Sequence, residues 1–301
     1  MSKTAIEIAG LLQAEYFDFD STVVGDTFRI FVAKPPFSPK GKQPAIFVTD
    51  ANMLFFMTAS IQRMLTLAGE NPSAFVIGIG YPTEGGFFEA LAKRHRDLIP
   101  SDGGGFGKAV VIPPTPPGGK EFLRFIAEEL KPHLSARYSI NESDSTYIGT
   151  SVGGLMGAWA SLNEPEIFQR YILASPSLSW NDEEIWQWEA EYAKSHRDLA
   201  AKIFVSAGSL ESPEHARNSA VHLAKNNPFL RKQVESMIVW CDANGWPRVT
   251  ELPREFAEKL QSRNYPSLKV HHHIMPDETH ISVTPSIITR GLRYVFDQWR
   301  P

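Results

Sequence analysis

The chain has 301 residues, 43% of them hydrophobic and 21% charged, so it can bury a sizeable core and is too apolar for wholesale disorder. Its 30 Lys and Arg against 34 Asp and Glu give a formal charge of −4, without the basic footprint of a nucleic-acid binder. The single cysteine, Cys241, excludes an internal disulfide framework and a thiolate metal cage. Glu7 interrupts the apolar run at the start, so no secretory segment is expected there, and no apolar run approaches the roughly 18 residues of a membrane span. A soluble, cytoplasmic chain is the expectation.

Taken in order, residues 15–20 and 27–33 alternate apolar and polar side chains around Val24-Gly25-Asp26, which predicts an antiparallel hairpin at a sheet edge. Pro35, Pro36 and Ser38-Pro39-Lys40-Gly41 close it off. Short apolar runs at 44–49 and 74–79 suit strands buried on both faces. Residues 80–119, with Gly103-Gly104-Gly105 and Pro113-Pro114-Thr115-Pro116-Pro117, are expected to be loop-rich, and loops of that length commonly carry function. Phe122, Phe125, Ile126 and Leu130 share one face of a helix predicted over 120–138. Strands follow at 146–148, 171–174, 202–206 and 268–274, with helices at 155–162 and 283–299. This alternation predicts an α/β fold with a mainly parallel central sheet flanked by helices. With no repeat and no linker, residues 1–301 are expected to form a single domain. Residues 181–200 (Trp186, Trp188, Tyr192) and 226–252 (Phe229, Trp240, Trp246) exceed a minimal α/β domain. Both follow strand ends, where caps are inserted, although surface helices with some buried aromatics would read the same way.

The most informative stretch is Gly149-Thr150-Ser151-Val152-Gly153-Gly154, a Gly-x-Ser-x-Gly pattern between a short strand and a helix of small and apolar residues. A serine on so sharp a turn needs its neighbours stripped of side chains, so that backbones pass closely and the hydroxyl projects at the positive end of the helix. A serine nucleophile also needs a histidine base and an orienting carboxylate, which in this fold class follow in the order acid, then histidine. His280 stands in a polar loop after the last strand. Glu211 is the first carboxylate after the strand at 202–206, with Glu214, Asp277 and Glu278 as competitors. His271 and His273 would share a strand face as a metal pair, but no further ligand lies at a useful spacing. Amides of Val152 and of Ala51 or Asn52 would form the oxyanion hole, with Asp50 bracing that loop.

Gly149-Thr150-Ser151-Val152-Gly153-Gly154-Leu155, with Ser175-Pro176-Ser177-Leu178-Ser179-Trp180 downstream, resembles the Putative esterase (siderophore esterase-like) branch of the α/β hydrolases. Arg94-His95-Arg96-Asp97-Leu98-Ile99-Pro100 is similar to a loop of that branch, with Ile99 where the family has threonine. Gly208 before Glu211, and Thr279-His280 before Ser282, fit its acid and histidine positions. The likeness runs from about Phe28 to Phe296, departing in the proline-rich residues 112–117 and in the longer segment 226–252. It implies an α/β-hydrolase fold with helical cap or insert segments, and hydrolysis of a carboxylic ester without metal or organic cofactor. The resemblance further implies an acyl-enzyme on Ser151, with His280 as proton shuttle and Glu211 fixing its tautomer.

The expected partner is a small-molecule ester, with no nucleic acid and no membrane, and the sequence specifies no oligomeric state. Phe55, Phe56, Trp180, Trp186 and Trp188 are expected to line a roomy pocket for a bulky apolar or aromatic ester, some of them serving the core instead. Arg94 and Arg96 suit an acidic or catecholate substrate, or else a bracing role such as Arg96 on Asp97. Acyl transfer to another alcohol and ligand binding without catalysis are the competing readings.

Overall fold

The computed structural model describes residues 6–8, 13–37, 40–82, 84, 86–110 and 116–296. Within them lie strands β1 (Ile6–Ile8), β2 (Ala14–Ser21), β3 (Asp26–Ala33), β4 (Gln43–Val48), β5 (Phe75–Gly80), β6 (Ile140–Thr150), β7 (Arg170–Ala174), β8 (Lys202–Gly208) and β9 (Lys269–Met275). They join in one sheet in the order β1-β2-β3-β5-β4-β6-β7-β8-β9. The first three and the β3–β5 pair run antiparallel, and β5 through β9 pair in parallel.

Side-chain alternation divides the core into two layers. Ala45 and Phe47 of β4, with Ile77 and Ile79 of β5, enter one apolar cluster, whereas Ile46, Val48 and Val76 enter the other. Because both faces are covered, these strands read as unbroken apolar runs, as parallel strands do. The helices are α1 (Ala51–Leu67), α2 (Gly86–Leu98), α3 (Gly104–Val110), α4 (Gly119–Arg124), α5 (Lys131–Arg137), α6 (Val152–Asn163), α7 (Trp180–Glu183), α8 (Ile185–Ser195), α9 (Pro213–Asn226), α10 (Arg231–Asn244), α11 (Leu252–Ser262) and α12 (Thr284–Phe296). α1 and α12 pack on one face, and α6, α8 and α11 contribute to the cluster on the other. The helix predicted over 120–138 is continuous, but a π-helical turn at Phe125–Leu130 joins α4 to α5. Pro132 accounts for the widened turn: it lacks an N–H, and its ring crowds the carbonyl four residues back.

Three expectations need correction. The hairpin β2–β3 is not the sheet edge, because β1 adds outside it. Residues 80–119 are not chiefly loop, since α2 and α3 occupy much of them; the flanking glycines and prolines obscured short helices. The proline-rich residues 111–115 and the last predicted turn beyond residue 296 lie outside the described residues. α11 was not expected at all, although Leu252, Phe256 and Leu260 repeat at four-residue spacing and are fully buried.

Phe55 is a core side chain, not a pocket wall. It is 0% exposed, packs between α1 and the sheet with its ring 5.2 Å from that of Phe31, and closes over Gly78. Phe55→Ala is expected to lower the free energy of unfolding by about 3–5 kcal/mol in a urea titration, the cost of an aromatic-sized cavity. A wall position facing solvent would lose far less.

Candidate active site

β6 ends at Thr150, and the chain turns directly into α6 through Ser151, whose φ of 58° and ψ of −119° no ordinary serine adopts. A conformation of this kind costs about 1–3 kcal/mol and persists only where its surroundings impose it. Here the Ser151 N–H donates to Ala174 O at 2.9 Å, and its carbonyl accepts from Leu155 N at 3.0 Å and Ser177 N at 3.1 Å. The glycines on either side are obligatory. A Cβ on Gly149 would stand 2.2 Å from Gly153 O, and one on Gly154 would stand 2.9 Å from Pro176. Val152 opens the first turn of α6, where amides have no helical acceptor and the dipole is positive.

Two strands away, β8 runs into a 3₁₀ turn, Ser209–Glu211, that carries the Glu211 carboxylate into the interior at 3% exposure. Its Oε1 accepts from Gly208 N at 2.7 Å and from Ser175 Oγ at 2.6 Å. Its Oε2 lies 2.5 Å from His280 Nδ1. Where the carboxylate oxygen accepts in this contact, Nδ1 is the donor, and the lone pair falls on Nε2. The His280 side chain is 42% exposed, so it faces the solvent side of this contact. Its loop is fixed by Leu210 N on Glu278 O at 3.0 Å and by Asp277 N on Ser209 Oγ at 2.9 Å. Of the competing carboxylates, Glu278 accepts from Ser282 and Ser286 hydroxyls, Glu214 is exposed in the first turn of α9, and Asp277 is exposed in the histidine loop.

Ser151 and His280 share no hydrogen bond among the described residues; the Ser151 hydroxyl lies 3.4 Å from Ser177 Oγ. The segment 175–177 connects the parts, bonding Ser151 at one end and Glu211 at the other. Ser175, also at positive φ (42°), is a support that sequence reasoning missed. Its only sequence signal was the Ser-Pro-Ser run, whose spacing says nothing of a bond to a residue 36 positions on.

The loop after β4 holds the other half of the site. Asp50 sits at φ 56° before α1, and Arg94 grips its carboxylate with Nε at 2.5 Å and Nη2 at 3.0 Å, while Nη2 also reaches Thr150 O at 3.3 Å. Burial opposes the Arg94 charge, but the Asp50 carboxylate outweighs it and holds the guanidinium above its ordinary pKa. Arg94 therefore ties the Asp50 loop to the base of the elbow. The Asn52 side chain exchanges bonds with the Tyr81 backbone at 2.9 and 2.8 Å, leaving the first-turn amides of Ala51 and Asn52 as the candidate donors.

Arg96 bonds buried Asp97 at 2.7 Å and Asp26 at 2.8 Å, the geometry of the bracing alternative. Trp180 is 1% exposed, with its indole N–H on Ser101 O and its ring against Gly103, so it too belongs to the core. Trp188 is buried as well, while Phe56 is exposed. The His271 ring stacks beside those of Phe204 and Tyr294, at 5.9 and 5.4 Å, and no group of three or more His, Cys, Asp or Glu among the described residues is arranged to hold a metal.

A mostly parallel sheet with helices on both faces, and a strand–serine–helix elbow at its carboxyl edge, define an α/β hydrolase. The model of the Putative esterase family matches residues 21–237; the chain belongs to that family and is a carboxylic ester hydrolase. It is 29% identical over 287 residues to the ferri-bacillibactin esterase BesA of Bacillus subtilis, covering 89% of this chain and 84% of that one. Over 268 residues it is 25% identical to the siderophore triacetylfusarinine C esterase of Aspergillus fumigatus, covering 86% and 84%. The BES protein of Bacillus cereus superposes with a TM-score of 0.74 at 24% identity over 97% of this chain and 98% of that one.

Two outcomes follow from the geometry. Ser175→Ala removes one of three donors to a buried carboxylate and is expected to lower kcat/KM on a p-nitrophenyl ester about tenfold, with KM little changed. His95, beside Arg94, is pushed down to a pKa of about 4 by burial and by the Arg94 charge. Its neutral form is thus the folded one: the stability it contributes is complete above pH 6.5 and is lost as pH falls towards 4. His95→Gln should flatten the decline of melting temperature over that window.

Proposed function

We propose that the chain is a serine esterase in which Ser151, His280 and Glu211 act as a catalytic triad through an acyl-enzyme. The observation that carries this reading is the 2.5 Å contact between Glu211 and His280 Nδ1, formed at the same sheet edge as the strained Ser151. Ser151 Oγ attacks the ester carbonyl as His280 Nε2 accepts its proton, and Glu211 steadies the imidazolium. Amides of Val152 and of Ala51 or Asn52 receive the developing oxyanion. His280 then protonates the leaving alkoxide; water, activated by the same nitrogen, releases the acid.

The relatives acting on siderophores support a siderophore-type or similarly bulky ester as substrate. Residues 1–301 serve as one hydrolase unit in this reading, with 181–200 and 226–252 shaping access to the edge.

Ser151→Ala is expected to lower turnover of a p-nitrophenyl ester by roughly 10⁴-fold or more while leaving circular dichroism unchanged. Normal activity in that variant would remove the serine from the mechanism. Glu211→Gln should be severely impaired and Glu214→Gln nearly normal; the reverse pattern would reassign the acid.

A further inference from the structure

A cavity of about 720 Å³ opens beside the catalytic pair, a volume in the range that holds small organic ligands. Glu211 and His280 form one wall. Leu223, Met237, Trp246, Val249 and Ile281 supply much of the remainder, which is predominantly apolar. Met237 and Trp246 belong to a small apolar cluster with Ala220, Ala224 and Val234, separate from the two clusters that flank the sheet. The α9–α10 unit thus builds its own core and turns an apolar side to the histidine. Leu223 is 39% exposed and Ile281 is 80% exposed, leaving large apolar side chains open to water at the cavity.

We infer that this cavity receives the alcohol portion of the ester and selects an uncharged, apolar one, the side of the substrate following from the triad reading above. When the tetrahedral intermediate collapses, His280 Nε2–H gives its proton to the ester oxygen. The C–O bond to that oxygen breaks, the oxyanion re-forms the carbonyl, and the acyl group stays on Ser151 Oγ. The oxygen that takes the proton lies against the imidazole, so its substituent extends along the His280 wall. Ser151 is not among the residues that line the cavity, so in this reading the acyl group it retains is held elsewhere.

Charge selects in the same direction. Among the described residues, no Lys or Arg lines the cavity. Arg217 pairs with Asp242 at 2.8 Å, and Arg248, next to Val249, pairs with Glu183 at 3.1 Å. An anionic alcohol would find no lysine or arginine among the described lining residues to replace the water it gives up.

Two ester series test this: butyrates of ethanol, hexanol, benzyl alcohol and glycolate, and ethyl esters of acids from acetic to octanoic. In the wild type, kcat/KM is expected to rise about tenfold or more from ethyl to hexyl or benzyl butyrate, to rise much less with acyl length, and to be poor for the glycolate ester. Leu223→Glu should cut the benzyl-to-ethyl ratio about tenfold, and Leu223→Lys should raise the glycolate-to-benzyl ratio by a similar factor. Each ratio compares two esters on one preparation, so partial unfolding does not move it. Selectivity that follows the acyl chain, or ratios unmoved in both variants, would overturn the inference while leaving the triad intact. Failure to hydrolyse either series, with a fluorophosphonate probe not labelling Ser151, would overturn the triad reading and this inference with it.

Discussion

A carboxylate at 3% exposure is stable only if donors replace the water it has lost, and Glu211 has three: the Gly208 amide, the Ser175 hydroxyl and His280 Nδ1. Each comes from a different part of the sheet's carboxyl edge, so satisfying this one group fixes three segments relative to each other. Gly208 sets the turn after β8, Ser175 the turn after β7, and His280 the loop after β9. The close pass of Gly208 against Glu278, where a Cβ would stand 2.2 Å from the carbonyl oxygen, draws the histidine loop onto the acid. The imidazole inherits its orientation from this arrangement.

The elbow on β6 depends on it indirectly. Segment 175–177 bonds Glu211 through Ser175 and Ser151 through Ser177, so the strained serine and the buried acid share one support. On the other side, Arg94 holds Asp50 and Thr150 together and pins the loop before α1 to the same elbow. Arg94 and Arg96 both bond carboxylates of the scaffold, Asp50 and Asp97, and so join the segments that carry them. Such fixing suits donors that must be in place before charge develops.

The elbow was legible because its constraint is local. Steric exclusion over six residues demands Gly149, Gly153 and Gly154 around Ser151, and the sequence displays all of them. Glu211 and His280 were legible through chain order, since parallel strands deliver successive loops to one edge. What stayed hidden depends on long-range pairing. No spacing announces that Arg94 meets Asp50 across 44 residues, or that Ser175 meets Glu211. Nor does composition tell which aromatics face inward: Phe55 and Trp180 were expected at a pocket, yet both are sealed in the core, while the apolar cavity beside His280 is walled by Leu223, Met237 and Trp246. The four-residue repeat of α11 was present in the sequence but sat at the end of a stretch read as an insert.

The most direct test of the account is capture of the covalent intermediate. The enzyme would be mixed with a slowly hydrolysed aryl ester, quenched in acid within the first turnover, digested and analysed by mass spectrometry. One added acyl mass is expected on the peptide containing Ser151, absent from Ser151→Ala and accumulating only slowly in His280→Ala. Turnover with no acylated peptide, or with the acyl group on another residue, would contradict it.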